Sequence, residues 1–183
     1  AEGVRANALR PYVLDPVMVA TSGDPLLEPD AVSAIVDELF PLATLVTPNI
    51  PEAEALLSRR IASRDAMAGA ARALRDAGAR AVLLKGGHLR GRGEVVDRYD
   101  DGSLFAELVH PRLRAQGHGT GCTLSSAIAA HLALGQPLLE AVQLARDYVR
   151  SALQAGARVR TGEGGGPLNH GHAPVAMRLK PLR

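Results

Sequence analysis

Residues Gly117-His118-Gly119-Thr120-Gly121-Cys122-Thr123 constrain this chain more than any other stretch. Three glycines, two threonines and the chain's single cysteine fall within them. An apolar-patterned run, Leu124 to Leu134, follows at once. Leu124, Ile128 and Leu132 recur at i, i+4 and i+8, which is the buried stripe of a helix. A Gly-rich turn feeding a helix N-terminus aims backbone N–H groups at one point, and the helix dipole makes that point positive. The expected occupant is an anion, most simply a phosphate. A cysteine in the first turn has its thiolate favoured by the same field. On this stretch alone two alternatives stay open: a turn that binds nothing, and an inert buried thiol.

The remaining composition narrows the class. A chain of 183 residues with 46% apolar and 22% charged residues has the make-up of one ordinary globular domain. No apolar run approaches the roughly 18 residues that a membrane span needs, so no membrane association is expected. A single cysteine excludes an internal disulfide and a cysteine metal cluster, and fits the cytoplasm. The net charge is only +2, basic residues are dispersed, and aromatics are 3%, which argues against nucleic acid as a partner. Of 21 basic residues only Lys85 and Lys180 are lysine. A compact ammonium suits a crowded phosphate site better than a guanidinium fork does, which favours a role for Lys85 over chance codon usage.

Taken in order, Tyr12 to Asp15 reads as a buried strand with a carboxylate at its end, although Asp15 before Pro16 also suits a turn. Val17 to Leu27, with Thr21-Ser22-Gly23-Asp24-Pro25 inside it, reads as a loop able to cover a ligand. Asp30 to Phe40 is expected to be helical, and Leu45 to Thr47 a second strand. A helix from about Pro51 to Leu57 follows Asn49. Asn49 and Glu52 make a capping pair there or, alternatively, hold a hydrated magnesium ion. Ser63 to Ala77 reads as a helix with Ser63 as N-cap and Gly78 as its stop. Ala81 to Leu84 reads as a third strand, ended by Lys85-Gly86-Gly87-His88. Val95–Tyr99 and Leu104–Val109 around Asp101-Gly102 predict a more exposed antiparallel hairpin. Arg112 to Gln116 leads into the glycine motif. Pro137 to Gly156 predicts a long final helix. The Gly164–His172 stretch reads as a surface loop near a nucleotide edge; its two histidines are a weaker metal option.

The order strand, helix, strand, helix, strand, hairpin, helix, helix predicts an α/β fold, doubly wound about a mostly parallel sheet. In such a sheet the ends carrying Asp15, Asn49 and Lys85 share one edge, and the Gly117–Cys122 turn is expected to open there too. A carboxylate, an amide, an ammonium and an anion cradle are the inventory of phosphoryl transfer.

Five blocks then stand in order: Asp15-Pro16-Val17-Met18-Val19-Ala20-Thr21-Ser22-Gly23, Thr47-Pro48-Asn49-Ile50-Pro51-Glu52, Lys85-Gly86-Gly87-His88, His118-Gly119-Thr120-Gly121-Cys122-Thr123-Leu124 and Gly166-Pro167-Leu168-Asn169-His170. Together they resemble the hydroxymethylpyrimidine/phosphomethylpyrimidine kinases of thiamine biosynthesis, within the ribokinase-like superfamily. Most of that superfamily has Asp where Cys122 stands; Cys points to the pyrimidine kinases and some pyridoxal kinases. The resemblance implies ATP and Mg2+ as cofactors. It implies a pyrimidine alcohol, 4-amino-5-hydroxymethyl-2-methylpyrimidine, and its monophosphate as substrates. It makes Cys122 the base, and the N–H groups of Gly119, Thr120, Gly121 and Cys122 the anion hole. Lys85, Asn49, Glu52 and His118 fall to the nucleotide, and Asp15 and Glu52 to the metal.

The family's usual Gly-rich first strand and following units have no match here. Residues 1–183 are therefore expected to form a single partial kinase domain whose open sheet edge favours a homodimer. Three rivals remain: a pyridoxal kinase, a fragment that binds nucleotide without transfer, and a thiol hydrolase in which His118 would orient Cys122.

Overall fold

Short apolar runs become strands where a partner covers both faces. The computed structural model describes residues 1–18, 26–89, 93–113, 117–159 and 166–176. The chain divides into two compact units, residues 1–112 and 113–183.

In the first unit a five-stranded sheet runs in the order β1 (Val13–Leu14), β2 (Leu45–Val46), β3 (Val82–Leu84), β4 (Glu94–Asp100), β5 (Phe105–Pro111). β1 pairs parallel with β2, and β2 parallel with β3. β3 with β4 and β4 with β5 are antiparallel. The helices are a one-turn α1 (Glu2–Ala6), α2 (Pro29–Ala34), α3 (Ile50–Leu57) and α4 (Arg64–Asp76). α4 follows its sequence signals. The Ser63 hydroxyl accepts the Ala66 N–H at 3.1 Å, and Met67, Ala70, Ala71 and Leu74 form one buried face. They pack with Phe40, Val46, Val82 and Leu84 in the core. Truncating Met67 or Leu74 to Ala should cost about 2–5 kcal/mol.

Two expectations need correction. The helix read over Asp30–Phe40 is not uniform: α2 passes into a π-turn at Ile35–Leu39 and a 3-10 turn at Phe40–Leu42. Pro41 lacks the N–H that would bond back into an α-helix, while Ile35, Val36 and Leu39 still reach the core. The hairpin is antiparallel as expected, but only β5 is exposed. β4 is buried from Val96 to Asp100, because it lies between β3 and β5 beneath α4. Its charges are all partnered. Asp100 pairs with Arg75 at 3.1 Å, and Arg98 pairs with Glu107 and also donates to the Arg64 carbonyl.

The second unit holds α5 (Thr120–Ala133) and α6 (Leu138–Gly156), which pack on each other. Ile128, Val142, Ala145 and Ala152 are fully buried. Residues 166–169 run back along α6, where Asn169 N–H donates to Ala152 O at 3.0 Å. Gly166 also makes a parallel bridge to Gly117. Among the described residues no helix is long and apolar enough to cross a membrane. Thr21–Pro25, residues 114–116, Gly164, Gly165 and Lys180 lie outside the described residues.

Candidate functional site

In the first unit the parallel register brings three strand ends together. Asp15 directly follows β1 and Lys85 directly follows β3. The Lys85 ammonium donates to Asp15 Oδ1 at 2.8 Å, with both side chains only 14% exposed. Fully buried Thr47, at the end of β2 between them, donates its hydroxyl to the same oxygen at 3.1 Å. Lys85 also bridges in parallel to Asn49, and its N–H reaches Pro48 O at 2.8 Å. Asp15, Asn49, Glu52 and Lys85 thus form one cluster at the carboxyl end of the parallel strands, where ligands of open α/β sheets bind.

Asn49 and Glu52 do form the capping box of α3. Glu52 N–H donates to Asn49 Oδ1 at 2.9 Å, and Asn49 N–H donates to Glu52 Oε2 at 2.7 Å. Glu52 is nonetheless 4% exposed, an unusual burial for a carboxylate used only as a cap. Burial pushes its carboxyl above the ordinary value; the Asn49 N–H and the Lys85 charge oppose this, and the Asp15 charge adds to it. The donor set suits a hydrated Mg2+ rather than a dehydrated ion in a protein cage. It offers two carboxylates and an amide, and each carboxylate keeps an oxygen beyond the one already engaged. Among the described residues no group of three or more His, Cys, Asp or Glu side chains gathers as a metal cage, the His170–His172 pair included.

In the second unit Gly119 is the N-cap of α5 and has φ +81, a left-handed conformation that only glycine adopts at little cost. The first intrahelical bond runs from Thr123 N–H to Gly119 O at 2.9 Å, so the N–H groups of Thr120, Gly121 and Cys122 lie ahead of it. Buried Ser125 donates back to the carbonyls of Gly121 and Cys122, which steadies this first turn. Cys122 is exposed and lines an open groove of about 530 Å³ with Ser126, His131, Tyr148 and His170. The Tyr148 hydroxyl donates to His170 O at 3.1 Å, and its ring lies against His170 and His172. His118 is exposed beside Gly119.

Sequence reasoning singled out Asp15, Asn49, Glu52 and Lys85, and they cluster. It likewise singled out Gly119 to Cys122, which share one turn. It missed the part played by Thr47, a small polar residue in a strand, and that of Tyr148. The only signal for Tyr148 is the scarcity of aromatics, three Tyr and two Phe in the chain.

Comparison with known proteins gives the ancestry. The phosphomethylpyrimidine kinase family matches residues 1–169. The hydroxymethylpyrimidine/phosphomethylpyrimidine kinase of Rhizobium meliloti (strain 1021) is 51% identical over 174 residues, 94% of this chain and 65% of that protein. The pyridoxal kinase of Staphylococcus aureus in complex with AMP-PCP superposes with a TM-score of 0.83 at 35% identity, over 93% of this chain and 62% of that one. The phosphomethylpyrimidine kinase of Clostridium difficile 630 gives 0.70 at 38%, over 82% and 61%. The chain spans less than two thirds of each of these relatives. With its mixed sheet flanked by helices and its ribokinase-like neighbours, the chain belongs to the phosphomethylpyrimidine kinase family.

Proposed function

We propose that this chain carries the phosphoryl-transfer machinery of an ATP-dependent kinase for 4-amino-5-hydroxymethyl-2-methylpyrimidine and its monophosphate, a step of thiamine biosynthesis. The supporting observation is the 2.8 Å Lys85–Asp15 pair beside buried Glu52, in a chain 51% identical to a protein of that name. The reading takes residues 1–183 as one kinase domain, acting in the cytoplasm as a homodimer.

Lys85 neutralises ATP phosphate charge, and Asp15 holds its ammonium in place. Glu52, Asn49 and Asp15 would hold Mg2+ through water, with His118 at the nucleotide. When bound, the metal would neutralise part of the phosphate charge. Cys122 takes the proton of the hydroxymethyl group as that oxygen bonds to the γ-phosphorus and the bond to the ADP oxygen breaks. The N–H groups of Gly119 to Cys122 receive the equatorial oxygens of the transferring group. In the second round an oxygen of the monophosphate is the nucleophile.

The test is incubation of the 183-residue chain with ATP, Mg2+ and the pyrimidine alcohol, with products resolved by mass. Mono- and diphosphate are expected. ATP binding without either product would reduce the chain to a nucleotide-binding portion. Pyridoxal is the second reading, favoured by the higher TM-score to the pyridoxal kinase, 0.83 against 0.70. A side-by-side panel of the two alcohols decides between them.

A further inference from the structure

Asp97 is a buried carboxylate that the proposed chemistry does not use. It is 5% exposed within β4, and its Oδ1 accepts the Gly86 N–H at 2.9 Å. The register explains its place. β3 and β4 pair through Leu84 and Arg98, and the next step would set Lys85 opposite Asp97. There the ladder gives way to a side chain: the carboxylate, not a backbone carbonyl, takes the first N–H after Lys85. Gly86 comes so close to β4 that a Cβ on it would lie 1.9 Å from Val96 O. Arg112, just past β5, grips the same turn by donating to Gly87 O at 3.0 Å and Leu89 O at 2.9 Å. The turn from Lys85 to Leu89 is thus held at one N–H and two carbonyls by side chains of β4 and of the residue following β5.

We infer that Asp97 is a positioning residue for Lys85, with Arg112 as its second hold. By fixing Gly86 it sets the direction in which the lysine leaves the sheet, and so the reach of its ammonium to Asp15. What Lys85 does once placed rests on the kinase reading; the placement itself does not. A buried acceptor for a buried N–H is hard to replace, because deleting it leaves the donor without a partner. Gly86 itself and its neighbour Gly87 bear no side chain that could take the acceptor's place.

The scarcity of lysine gives a direct readout. With Lys180→Arg, a chain grown on ¹³C,¹⁵N-lysine reports Lys85 alone. In the 183-residue chain, Asp97→Ala is expected to move the Lys85 ε-methylene and ammonium signals toward those of a solvent-exposed lysine. It should also weaken ATP binding by about tenfold or more. Asp97→Asn keeps the accepting oxygen and is expected to leave the signals in place and the affinity within about threefold. Should Asp97→Ala not fold, Asp97→Leu keeps the branched shape without an acceptor, and half-buried Arg112→Met releases the other hold. Lys85 signals unmoved in the folded variants overturn the inference, whatever ATP does. Lys85 signals that answer to Asp97 while the wild-type chain ignores ATP keep the inference and sink the kinase reading.

Discussion

The Lys85 turn and the Cys122 turn are built on opposite plans. Around Lys85 nearly everything is done by side chains: Asp15, Thr47, Asp97 and Arg112 each place a bond on the lysine, its counter-ion or its turn. The groups are buried or half-buried, and the partners are remote in sequence. Around Cys122 the backbone does the work. A single left-handed glycine opens α5, the first helical bond starts at Gly119, and the thiol faces an open groove. The contrast separates two ways of handling charge. A fixed cation in a partly dry site needs a network to hold it, whereas N–H groups at a helix start need only the correct φ to point the same way.

The sharpest way to break this contrast is Cys122→Ala. Under the proposed role of Cys122 as base, it should lower transfer by about 100- to 10,000-fold while ATP affinity stays unchanged. Steady-state turnover set beside calorimetric ATP binding checks it, and full turnover would remove Cys122 from the role of base. Gly86→Ala should cost about 1–3 kcal/mol or more of stability, since its Cβ would meet Val96 O at 1.9 Å, backbone that cannot swing aside. Urea unfolding measures that loss. Gly119→Ala sharpens the comparison, because nothing lies within 4 Å of a Cβ there and only the φ of +81 resists it. The expected cost is about 1–2 kcal/mol, with transfer reduced more than ATP binding.

Glu52→Gln gives the smallest effect and tests burial against function. A folded-state carboxyl raised by burial holds its proton to higher pH than the unfolded chain does. Its penalty on stability is therefore absent below the ordinary carboxylate range, appears as pH rises through it, and is complete above the raised value. Gln keeps the acceptor that caps α3 and carries no charge. The variant should match or exceed wild type in urea midpoint near pH 7.5 and lose that advantage toward about pH 4, while Mg2+-dependent ATP binding falls. A midpoint difference independent of pH would show that the Glu52 charge is not held at a cost.

Much of the fold was legible because its signals are local. Ser63 and Gly78 bracket α4, Asn49 and Glu52 box α3, and Asp101-Gly102 turns the hairpin, each within a few residues. Burial of β4 was not legible. Asp97, Arg98 and Asp100 look like a solvated strand until Arg75, Glu107 and Gly86 arrive from elsewhere to partner them. The π-turn at Ile35–Leu39 left no mark before Pro41 beyond an apolar spacing that an α-helix would also produce. At the candidate site the strand-end residues and their shared sheet edge could be read from the sequence. Their pairing depended on the register of β1, β2 and β3, which no local pattern encodes.

The two holds on the lysine differ in how far the chain must travel to make them. Gly86 and Asp97 are 11 residues apart and joined through a hairpin, whereas Lys85 and Asp15 are separated by 70. Closing the shorter loop loses less chain entropy, and hairpins form within about 1–10 μs. The nearer hold needs only the β3–β4 hairpin, whereas the counter-ion needs β1 docked on β2. Asp15 reaches the lysine only through the pairing of β1 with β2, so the charge balance of this edge depends on that one short parallel pair.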